Sequence, residues 1–132
     1  MKKPPLYLAR LGAISYIVWA LLHFIAALSV YRLGQTMPAT MAQGRVFQDA
    51  WNLACFSIAA IGVALTMNWR NDGYGYWINL AIISVADIGF VAFVLIPGYL
   101  PIWPGLAGPL FWIIGLLLTS AARLKPIPPQ QT

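Results

Sequence analysis

One carboxylate and one imidazole stand inside apolar runs of this chain, where either group needs a reason to be. Asp87 is at the centre of YWINLAIISVADIGFVAFVLIPG, and His23, the single histidine, is within LGAISYIVWALLHFIAALSVY. A lone aspartate at the middle of a membrane helix costs ~2.5–3.5 kcal/mol on insertion scales. That cost falls if the carboxyl carries a proton, faces water or pairs with a cation. The arginines lie at segment ends, where their long stems take the charge to the interface. His23 is therefore the intramembrane group that can become Asp87's cationic partner, directly or through water. Two titratable groups at one site suit proton binding, ion binding or general acid–base work.

Spacing adds neighbours to this pair. Tyr16, Trp19 and His23 are three and four residues apart and share a helix face. Ser84 precedes Asp87 by one turn, within reach of a hydrogen bond. In the second apolar segment Asp49, Asn52, Cys55, Ala59, Gly62 and Thr66 form one stripe, polar at its start and small further along. Small residues let helices approach closely, so Gly62 is expected at a helix–helix contact. At ~1.5 Å rise per residue, Asp87 lies near mid-depth, His23 roughly 3 Å to the outer side, Asn52 roughly 8 Å and Asp49 roughly 12 Å outward. Asp49 is also one turn after Arg45 and can pair with it. The expected site is thus Asp87 and His23 as the ionisable pair, Asp49 and Asn52 at the entry, and Tyr16, Trp19 and Ser84 in support.

The elements that position these residues follow from composition. The chain is 61% hydrophobic and 8% charged, with mean hydropathy +0.75, whereas soluble domains carry about 25% charged residues. A span needs about 20 mainly apolar residues. Four stretches meet or approach that length, at about 11–31, 46–68, 76–96 and 106–122. Helix is the spanning form, because lipid offers no partner for a bare backbone. Pro38, the NWRNDGYG turn and the proline-rich PGYLPIWPG segment separate them. The fold class is an all-α integral membrane protein, a compact four-helix bundle over 1–125, with a short Pro/Gln tail at 126–132. The first stretch exceeds a signal-peptide core of ~7–15 residues and reads as a retained helix. The fourth, with only Thr119 and Ser120 as hydroxyls near its end, reads as a wall of the bundle rather than its working part.

Charge gives the direction. Lys2, Lys3, Arg10, Arg70, Arg123 and Lys125 fall on one side, Arg32 and Arg45 on the other. The positive-inside rule then places both termini in the cytoplasm, and the localisation reads as a bacterial inner membrane. The net charge of +5 is explained by these segment ends, so nucleic acid is not an expected partner. The uncharged segment 98–105 reads as a loop in the outer headgroup layer or a lid over an outward cavity.

Other chemistry finds no support in the residues. Bis-histidine haem needs two histidines, which only a symmetric dimer of this chain could supply, and Met67 is too far along its segment to serve with His23. Structural zinc lacks its ligands, and no Walker, GxGxxG or GxSxG sequence occurs. No cofactor is named by the sequence, and Cys55 reads as a small packing residue. Three functions stay open. The leading one is binding, extending to transport, of a small apolar or cationic ligand or a proton through a site opening outward. The second is an accessory subunit packed on a larger membrane complex. The third is an intramembrane acid–base enzyme such as an isomerase. The partners are the lipid bilayer together with a small-molecule ligand, a membrane-protein partner or further copies of the chain.

Overall fold

A computed structural model describes residues 6–124, and these are all-helical, with no strand. Four helices in it are long and apolar enough to cross a membrane, the pattern of a multi-pass membrane protein. The expected tail at 126–132 lies outside the described residues, as do Lys2, Lys3 and Lys125.

Helix α1 (Leu6–Gln35) is longer than its apolar stretch and extends a turn beyond it at each end. Its end is capped in two ways. Thr36 Oγ1 donates to the Leu33 carbonyl at 2.8 Å, and Gln43 Nε2 reaches back to the carbonyls of Gly34 and Met37 at 3.0 and 3.1 Å. Those bonds satisfy carbonyls that a helix end leaves without partners. Helix α2 (Met41–Thr66) runs back and ends in a single 3-10 turn, Asn68–Arg70. Asn71 then takes a left-handed conformation, and Asp72 Oδ1 accepts from the Tyr74 and Gly75 amides at 2.8 and 3.1 Å. This carboxylate N-cap starts α3 (Gly73–Phe90) and suits the positive end of its dipole.

Helix α3 widens directly after Asp87 into a π-helical turn, Val91–Leu95, with the Val91 amide shared between the Asp87 and Ile88 carbonyls. Such turns are rare and concentrate at functional sites. The segment that read as a loop contains a short helix α4 (Ile102–Gly105), with Tyr99, Ile102 and Trp103 exposed. Helix α5 (Ala107–Leu124) completes the bundle.

Helix α1 is the centre of the packing, against α2 on one side and α5 on another. Ala13, Tyr16, Trp19 and Ala20 of α1 form the core with Ala60 and Ala64 of α2 and Ile83 of α3. Glycines set the α1–α5 distance. A Cβ on Gly12 would stand 2.5 Å from Thr119 Cγ2, and one on Gly115 would stand 2.5 Å from Tyr16 Cε1.

The small-residue stripe of α2 does not face this core. Asp49, Asn52, Cys55, Ala59, Gly62 and Thr66 are all exposed, and a Cβ added at Gly62 would meet nothing within 4 Å. The expected contact at Gly62 is therefore corrected. The buried face is Ala50, Ser57, Ala60 and Ala64. Those residues also repeat at helical spacing, on nearly the opposite side of the helix. Helix α2 carries two small-residue stripes, and α1 packs on the one that contributes fewer polar groups.

A Trp–His–Asp cluster as the candidate functional site

Asp87 is fully buried, at 0% exposure, with Trp19 at 0% and His23 at 8%. Helices α1 and α3 bring the three together. Trp19 Nε1 donates to Asp87 Oδ2 at 2.8 Å. His23 Nε2 lies 3.1 Å from Asp87 Oδ1. By distance this is an ion-pair contact; by angle no hydrogen bond to Oδ1 is aligned, and Oδ1 has no other partner among the described residues. Distance governs the Coulomb energy, so the pair stands as an electrostatic contact.

The other ring nitrogen settles the tautomer. His23 Nδ1 is 3.0 Å from the Trp19 carbonyl oxygen. A carbonyl can only accept, so Nδ1 carries the hydrogen. Nε2 then faces Oδ1 with no hydrogen of its own if the imidazole is neutral. Two bare lone pairs at that distance would repel, so the contact is favourable when one of the two groups carries a proton. Written as imidazolium and carboxylate, or as imidazole and carboxylic acid, such a pair is neutral.

Trp19 contributes in three ways. Its indole N–H fills one carboxyl oxygen, its carbonyl orients the imidazole, and its ring stacks on His23 at 3.9 Å between centroids and 23° between planes. An indole face is attractive to a cation placed above it. Helix α5 closes the site from the other side, since a Cβ on Gly108 would stand 2.5 Å from His23 Cε1. The fourth crossing is thus part of the site, contrary to its reading as a wall, because glycines rather than polar side chains are its contribution.

The remaining expected residues are placed differently. Ser84 does not bond Asp87; its hydroxyl accepts from Trp112 Nε1 of α5 at 3.0 Å. The expected Ser84–Asp87 bond is therefore replaced by a tie between α3 and α5. Tyr16 is buried, but its hydroxyl pairs with Thr119 Oγ1 at 3.1 Å, two turns from His23. Asp49 and Asn52 lie on the outward face of α2 and do not line the cluster. Nor does Arg45 pair with Asp49; its guanidinium donates to Gln48 Oε1 at 2.8 Å.

Two features were missed in the sequence. Asn79 Nδ2 donates to Asn68 Oδ1 at 2.7 Å in a buried amide pair that ties α3 to the end of α2; two asparagines flanking a turn were a usable signal. An apolar groove of about 250 Å³ lies beside α1 and α2, bounded by Phe24, Tyr31, Phe47 and Trp51. It begins one residue past His23 along α1, in the half of the bundle away from the termini. It does not include His23 or Asp87. The described residues contain no group of three or more His, Cys, Asp or Glu side chains able to hold a metal.

What the fold and site define is an all-helical protein with four helices long and apolar enough to cross a membrane and a buried Trp–His–Asp cluster between two of them. A scan against protein-family models and searches of curated proteins and of solved structures each returned no match.

Proposed function

We propose that this protein binds one proton in the His23–Asp87 pair and exchanges it for a small cation or a cationic or apolar ligand. The observation that supports the reading is the Nδ1 contact to the Trp19 carbonyl, which turns Nε2, without a hydrogen of its own, toward Asp87 Oδ1. Loss of that proton leaves an uncompensated charge in a dry site, which is strongly unfavourable. Proton release therefore couples to anything that restores neutrality, such as entry of water or of a cation. The apolar groove beside Phe24 supplies an adjacent place for an apolar body, and the π-turn after Asp87 supplies a deformable backbone. The termini face the cytoplasm of a bacterial inner membrane on this reading, supported by six of eight basic residues lying on their side.

A second reading is an accessory membrane subunit in which the cluster is only a helix tie. The closure of the site favours it, since Asp87 has no exposed surface.

Asp87→Asn separates the two. The amide keeps an acceptor for Trp19 Nε1 and offers an N–H to His23 Nε2, but it cannot ionise. The variant is expected to fold, and to lose the carboxyl and imidazole signals that a pH step produces in infrared difference spectra of the wild type. Reconstituted vesicles should lose any proton flux as well. A wild type with no such signal would leave the cluster a structural tie. Topology is tested with reporter fusions at Thr132 and within 36–40, which should report opposite sides. The same side for both would end the four-crossing arrangement.

A further inference from the structure

The outward face of α2 has a seven-residue repeat. Arg45, Asn52, Ala59 and Thr66 are seven apart, and Gln48, Cys55 and Gly62 follow at three residues' offset. These are the two seam positions of a left-handed helix pair, and every one of them is exposed in the single chain. On a helix in water a polar exposed seam is ordinary. On a helix that crosses a membrane it places an amide and a carboxylate toward lipid, which satisfies neither. Asn52 and Asp49 make no hydrogen bond or ion pair among the described residues. The Thr66 hydroxyl returns to its own helix, to the Gly62 carbonyl at 2.7 Å.

We infer that this face docks a second copy of the chain, α2 against α2, around a two-fold axis along the membrane normal. The chemistry of the seam is self-complementary. A two-fold axis sets each seam residue beside its own copy. Asn52 suits that position because an amide both donates and accepts, and a single asparagine in a helix seam specifies pairing and register. Asp49, which can only accept, stands beside the seam where the amides of the partner's Gln48 and the partner's Asn52 can donate to it. Ala59 and Gly62 leave room for backbones to approach, and nothing among the described residues fills the space over Gly62. The two Arg45 side chains come at the helix start, tied to Gln48, and can spread into the headgroup layer. Lipid hydrocarbon would not answer the Asn52 amide, and an unrelated helix would not need the repeat to be self-matching. The inference depends on the chain crossing a membrane, not on proton binding at Asp87.

The single cysteine tests it. In this arrangement the two Cys55 sulfurs face each other across the axis. Full-length protein in phospholipid vesicles, treated with copper phenanthroline under air, should form a Cys55–Cys55 disulfide, the two thiols giving two protons and two electrons to the oxidant. Most of the protein should run at twice the monomer mass and return to monomer with reductant. A control with Cys55→Ser and Leu117→Cys, exposed on α5, should cross-link at least about tenfold less. Gly62→Leu should not lower the unfolding temperature in detergent, because a side chain there would meet nothing within 4 Å among the described residues, while abolishing the cross-link and the dimer mass by light scattering. Equal cross-linking at both cysteines, a monomer in vesicles, a dimer in which Cys55 fails to react, or capture of a different protein by Cys55 in native membranes would each overturn the inference.

Discussion

Replacing His23 with leucine is expected to destabilise the folded protein by about 3–5 kcal/mol, the usual cost of removing one partner from a buried ion pair. The substitution leaves Asp87 fully buried with only the Trp19 N–H for company. The informative comparison is the double variant His23→Leu/Asp87→Leu, in which both polar partners are gone. It should recover most of the loss, since apolar side chains of similar volume are tolerated where a pair has been removed whole. Unfolding in mild detergent, monitored by circular dichroism, gives the four corners of the cycle. A single variant as stable as the wild type, or a double variant no better than the single, would mean that His23 and Asp87 do not interact in the folded protein.

The second large effect is expected at Gly108. The structure leaves no space for a Cβ there, because the His23 ring occupies it. Gly108→Ala must push the ring or the helix aside, and overpacking of this kind costs about 1–3 kcal/mol. The ring sits between α5 and Trp19, so its displacement also weakens the Nε2–Oδ1 contact and the stacking. Gly108→Ala should therefore lower the unfolding temperature and shift the His23 imidazole resonances in selectively labelled protein. By contrast Gly44→Ala, where a Cβ would meet nothing within 4 Å, should leave the imidazole resonances in place and not lower the unfolding temperature. Unchanged imidazole resonances in Gly108→Ala would show that α5 does not hold the ring.

These expectations mark where the residues themselves were informative. The four membrane-crossing stretches are legible because hydrocarbon thickness imposes a length and an apolar composition that the chain displays directly. The meeting of His23 and Asp87 is legible for a related reason. A mid-depth carboxylate must find a partner, and a chain with a single histidine at similar depth offers few candidates. Trp19 was also within reach, since it shares a helix face with His23, although its role as the second donor to Asp87 depends on how α1 and α3 turn toward each other.

What remained to tertiary structure was the choice between faces of equal local merit. Helix α2 presents two stripes of small residues, and spacing cannot say which one α1 packs on. The fourth crossing looked inert because its contribution, Gly108 and Gly115, is the absence of side chains, and a glycine shows what it accommodates only once the neighbour is in place. Ser84 was one turn from Asp87, but Trp112 approaches it from another helix and Trp19 approaches the carboxylate. By itself the sequence determined which segments could cross a membrane and which polar groups there needed partners, because solvation acts on each residue separately. Only the tertiary structure decided which partners they took, because that depends on the rotation of each helix against the others, to which lipid and local spacing are indifferent.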